Sequence, residues 1–138
     1  MTIVVGYSPS GQGAAALRAG VRSARRRGED LVIASYQTGD DGRGAPSEQE
    51  VGAALAEIDA EGIEVSVRPR TDADIGEFLL AVVEEVSASL IVIGLRRKSP
   101  IGKLNLGAAA RRVVLGAPCP VLAVKDDHGV DADTRVGA

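Results

Sequence analysis

Aromatic side chains are almost missing from this chain. Tyr7, Tyr36 and Phe78 are the whole complement, and there is no tryptophan. A core of this composition must be aliphatic, and a nucleic-acid base would find little to stack on, which argues against single-stranded nucleic acid as a ligand. Cysteine and histidine occur once each, as Cys119 and His128. A single cysteine excludes an internal disulfide. A single histidine, set in a charged C-terminal stretch without periodicity, leaves no Ser/His/Asp or Cys/His set to assemble. No residues fall at metal-ligand spacing. No apolar run approaches the roughly 20 residues that span a bilayer. The chain passes from Met1 straight into "TIVVGY", without a basic leader and its apolar core. An excess of one charge is missing too: the net charge is −3, and the arginines are spread along helical segments. DNA binding gains no support from this pattern. Cys119, in "APCPVLAV", reads as an inert core thiol at the start of a buried strand, and a reducing cytoplasm suits the whole set.

What is present is a regular alternation. At 138 residues and 45% apolar content, the chain predicts one domain over residues 1–125, followed by a disordered tail over 126–138. Five apolar runs recur: Ile3–Gly6, Leu31–Tyr36, Ile63–Val67, Leu90–Gly94 and Val121–Val124. Four are nearly continuous, as strands covered on both faces should be. In the third, Ile63, Val65 and Val67 alternate with polar residues, which places it nearer an edge. Helical patterns lie between them. Ala14, Leu17, Val21 and Ala24 share a face that stops at Gly28. Ser47 and Glu50 form a capping-box signature ahead of Val51, Leu55 and Ile58, with a stop at Gly62. Asp72 and Asp74 open a third helix, and a fourth runs from about Gly107 to Leu115. Strands alternating with helices predict an α/β fold with a mostly parallel sheet and helices on both faces. In such sheets the ligand crevice lies beyond the carboxyl ends of the strands, where strand order reverses. The segments walling it are "GYSPSGQG" and "GLRRKSPIG". Thr38–Pro46 reads as a Gly/Asp-rich flap.

The second of those segments carries the chemistry. Gly94 ends the strand and allows a tight turn, Arg96, Arg97, Lys98 and Lys103 surround the loop with cations, and Gly102 and Gly107 permit close backbone approach to a phosphate. Despite "GK" at Gly102–Lys103, the upstream glycine and following hydroxyl of a Walker A loop are missing. On residue types alone, an anion site and a solvated basic connector both stand. Paired carboxylates, Glu84–Glu85 and Asp40–Asp41, read as a solvated helix face and a loop.

From Thr2 to about Lys125 the chain resembles the universal stress proteins. The likeness begins with "IVVGYSPSGQGAAAL", continues through "DADIGEFLLAVVEEVSASLIVIG" and is strongest over "GLRRKSPIGKLNLGAAARRVVLGAPCPVLAV". It implies a Rossmann-like, adenine nucleotide alpha hydrolase-like fold, an open five-stranded parallel sheet of order 3-2-1-4-5. Members that bind ATP carry glycine, two residues, glycine, nine residues, then glycine and Ser or Thr. Gly94 matches the first position and Gly107 the third; Arg97 takes the second, and Ala108 the hydroxyl position. Ser8 stands where binders place an aspartate beside adenine and ribose. A lost ligand hydrogen bond costs about 0.5–1.5 kcal/mol, so two or three such losses weaken binding by about one to three decades. The resemblance thus implies a degenerate candidate nucleotide or anion site at Ser8, Gly94, Arg97, Gly102, Gly107 and Ala108. It also implies a homodimer through the last strand (Val121, Leu122, Ala123, Val124), which agrees with the hazard of leaving so apolar an edge bare. The expected role is a non-enzymatic stress-response binding or regulatory module working through protein partners. The alternative is an ATP- or AMP-binding sensor using the loops after strands 1 and 4, and a slow nucleotide hydrolase ranks third.

Overall fold

The computed structural model describes residues 1–36, 46–70, 74–95 and 107–125. Nine elements follow in order: β1 (Thr2–Tyr7), α1 (Gly11–Arg27), β2 (Asp30–Ser35), α2 (Glu48–Ala56), β3 (Val65–Pro69), α3 (Ile75–Val86), β4 (Leu90–Leu95), α4 (Ala108–Gly116) and β5 (Val121–Lys125). The strands form one parallel sheet of order β3-β2-β1-β4-β5, as expected. β1 is central. Its continuous apolar run is fully inside because helices cover both sheet faces. Ile3 and Val5 face α1 and α2, packing with Leu17, Leu31, Ile33, Val51 and Val92. Val4 faces α3 and α4, with Phe78, Leu79, Val83, Ile91 and Val113.

Local chemistry explains most helix boundaries. Ser10 caps α1, its Oγ accepting from the Gly13 amide at 3.1 Å. Gly28 ends α1 in the left-handed region at φ 65° and donates to the Ala24 carbonyl. The capping box of α2 is complete: the Glu50 amide donates to Ser47 Oγ at 3.1 Å, and the Ser47 amide donates to Glu50 Oε1 at 2.8 Å. Asp74 caps α3 through the Glu77 amide at 2.9 Å. Asp72 lies outside the described residues, as do the 126–138 tail and all of the Thr38–Pro46 segment except Pro46.

Three features differ from expectation. α2 stops at Ala56, short of Gly62, which sits in a separate turn at φ 85°. β3 begins two residues late, at Val65, because Ile63 is held in that turn, its amide donating to the Ala60 carbonyl at 3.1 Å. β5 is not covered on both faces: Val121 and Val124 are half-buried, but Leu122 and Ala123 are exposed. The cause is position. β5 ends the sheet, and no described element lies beyond it.

Candidate functional site

Strand order reverses at β1, whose neighbours β2 and β4 lie on opposite sides. The β1–β4 pairing runs from Ile3↔Leu90 to Val5↔Val92, so the last turn of β4 rises beside the loop that leaves β1. That loop, Ser8 to Ser10, delivers the chain into α1. Ser8 is buried, and its Oγ lies 3.1 Å from Ser10 Oγ, the same atom that caps Gly13. The hydroxyl that stands in for a carboxylate is therefore tied into the helix cap.

Two glycines let α1 sit this low. A Cβ on Gly13 would fall 1.8 Å from the Ser8 carbonyl oxygen, and a Cβ on Gly94 would fall 2.2 Å from the Gln12 carbonyl oxygen. Neither has a positive φ. Gly94 was expected to end its strand at a tight turn. Instead it lies within β4, pairs with Val124 of β5, and is glycine because α1 packs on it. Gly13 and Gln12 are residues that sequence reasoning missed. The "GQG" of Gly11–Gly13 was the available signal, and its meaning needed the β4 end in place.

Gly107 differs from these two. It is the N-cap of α4, with φ −66° and no side-chain cap. A Cβ there would meet nothing within 4 Å among the described residues. No acidic residue occupies the first turn of α4. Its leading amides thus receive no side-chain acceptor from the N-cap, an arrangement that suits an anion. Ala108 opens the helix, exposed, and supplies no hydroxyl. Of the expected site set, Ser8, Gly94, Gly107 and Ala108 are described, whereas Arg97 and Gly102 lie outside the described residues, with Arg96, Lys98 and Lys103.

The remaining reactive groups are quiet. Cys119 is half-buried rather than fully inside, because it precedes the exposed strand β5; burial pushes its thiol pKa up, away from thiolate. The Tyr7 phenol is pushed up by burial and then by the Glu50 carboxylate. Glu85 pairs with Arg68. No cluster of His, Cys, Asp and Glu fit to hold a metal occurs among the described residues, and His128 lies outside them. No helix among the described residues is long and apolar enough to cross a membrane.

Strand order and the all-parallel pairing define an open α/β protein of Rossmann-like fold. Comparison with known proteins narrows the class. The universal stress protein family model matches residues 1–125. A universal stress protein of Mycolicibacterium smegmatis is 41% identical over 130 residues, covering 92% of this chain and 98% of its own. Among solved structures, a universal stress protein from Archaeoglobus fulgidus superposes with a TM-score of 0.67 at 30% identity, over 91% of this chain and 98% of that one. A universal stress protein from Archaeoglobus fulgidus solved in complex with dAMP superposes with a TM-score of 0.63 at 25% identity, over 91% of this chain and 98% of that one. This chain belongs to the universal stress protein family.

Proposed function

We propose that this universal stress protein is a non-enzymatic stress-response module that works as a homodimer joined through β5, its output passing to protein partners in the cytoplasm. The observation that carries the reading is the bare edge. β5 is apolar from Val121 to Val124, Leu122 is 38% exposed, and β4 is its one partner among the described strands. A two-fold copy pairing along the same strand satisfies both free edges at once. Leu122→Arg places a charge in that seam, so sedimentation of this variant should give monomer where the parent gives dimer. A dimer that survives the substitution overturns the proposal.

The second reading is a nucleotide sensor using Ser8, Gly94, Arg97, Gly102, Gly107 and Ala108, with ATP or AMP as ligand. The uncapped start of α4 favours it, as does the dAMP complex of the Archaeoglobus fulgidus protein. The engaged Ser8 hydroxyl and the absent hydroxyl at Ala108 count against it. Millimolar ATP with Mg²⁺ should leave the melting temperature unchanged; a clear upward shift would replace the first reading with the sensor. Phosphate release above buffer background would be needed to support a hydrolase.

A further inference from the structure

The α3–α4 pair carries an apolar groove that shares no residue with the β5 edge and only Ala108 with the candidate nucleotide site. The two helices run side by side in the same direction, with complementary small and large residues. A Cβ on Gly76 would lie 2.9 Å from Arg112 Cβ, and one on Gly116 would lie 3.0 Å from Leu80 Cδ1. Val113 turns fully into the core, so residues half a turn away point outward. These are Arg111 and Leu115. Leu115 is 80% exposed, the most exposed leucine among the large apolar residues described. With Leu80, Ala108, Arg111, Arg112 and Gly116 it lines an open groove of about 780 Å³.

The charge on the rim selects the occupant. Arg112 is neutralised by its ion pair to Glu77, while Arg111 has no ion pair among the described residues. A positive charge therefore stands one helical turn from an exposed leucine, a spacing of about 6 Å along the axis. We propose that this groove seats an amphipathic helix of a partner protein, carrying an apolar side chain and a carboxylate one turn apart. Two parallel helices leave the furrow that helix-in-groove recognition uses, the leucines supply the apolar floor, and Arg111 fixes register and selects acidic partners. A membrane surface fits less well, since it would call for several apolar residues ringed by several cations.

The probe is a short helical peptide with leucine at i and i+4 and glutamate elsewhere, compared with the same peptide bearing lysine for glutamate. Titrated into the ¹⁵N-labelled full chain, the acidic peptide should shift the amide signals of Leu80, Arg111 and Leu115. Leu115→Asp should weaken it about tenfold or more. Arg111→Glu should weaken the acidic peptide and strengthen the lysine one. Both changes are on the surface, so thermal melts of the variants should match the parent. The Leu122→Arg chain should bind as the parent does, which separates failure here from failure of the dimer. Shifts that map elsewhere, no shifts, equal binding of the two peptides, or a response of these residues to phosphatidylglycerol vesicles alone would overturn the assignment.

Discussion

Glycine serves three unlike purposes along this chain, and only neighbouring atoms tell them apart. Gly28 supplies a left-handed φ, Gly94 removes a side chain from the path of the Gln12 carbonyl, and Gly107 meets no described atom that a methyl would strike. The clash at Gly94 is with backbone, which cannot swing aside, so Gly94→Ala should lower unfolding free energy by about 2–3 kcal/mol in urea titration. Gly107→Ala meets no clash and should cost only the exchange of a glycine N-cap for alanine, about 0.5–1 kcal/mol, and equal losses for the two would contradict the packing account. Ser87 offers the converse case. It is the sole non-glycine residue at positive φ among those described, at 51°. Ser87→Gly should stabilise by about 0.5–1 kcal/mol, read from the same titration. Glu29 gives a pH signature. Its carboxylate accepts from Ser89 Oγ and from Arg27 Nε, and its pKa is lowered, chiefly by Ser89 and against the opposing effect of burial. A lowered folded value means that the carboxylate's contribution is present above the ordinary glutamate range, about 4.3, and is lost as pH falls through the folded value. Glu29→Gln should therefore flatten the acid side of the stability profile below about pH 4.5. A profile parallel to the parent's would remove Glu29 from that role.

At the scale of elements, the caps were the most legible feature. Ser47–Glu50 and Gly28 were readable because a cap is a local contract between residues a few positions apart, whereas Asp74, expected within the opening turn of α3, is its N-cap. Strand limits were less so. Ile63 and Val65 have the same alternating pattern whether or not the intervening turn captures Ile63, and the Ala60 carbonyl decided that. β5 shows the same lesson more strongly. "CPVLAV" reads as a strand covered on both faces, as "LIVIG" does, yet β4 is buried and β5 exposes Leu122 and Ala123. Composition records that a segment avoids water; it does not record whether helices of its own chain or a second copy provide the cover.

On the scale of the whole molecule, the candidate site was half legible. Strand order is what pointed to it, and two of the residues proposed for it, Gly107 and Ala108, lie at the start of α4, where the fourth helix was expected to begin. Gly94 has a different purpose from the one expected, and Ser8 turned out to be engaged with Ser10. If the departures at the family's motif are what close the site, Arg97→Gly with Ala108→Ser should create measurable ATP binding, about tenfold or more over the parent by calorimetry. Unchanged heats would move the cause to Ser8 and its cap. By itself the sequence determined the element order, the helix caps, the aliphatic core and the family, because each is written in residue types at short spacing. Tertiary structure alone decided that Gly94 packs against α1, that Ser8 is tied into its cap, and that Leu115 and Leu122 face outward. Those outcomes depend on atoms brought together from distant parts of the chain, and a carbonyl within reach of a missing methyl has no counterpart in any local pattern.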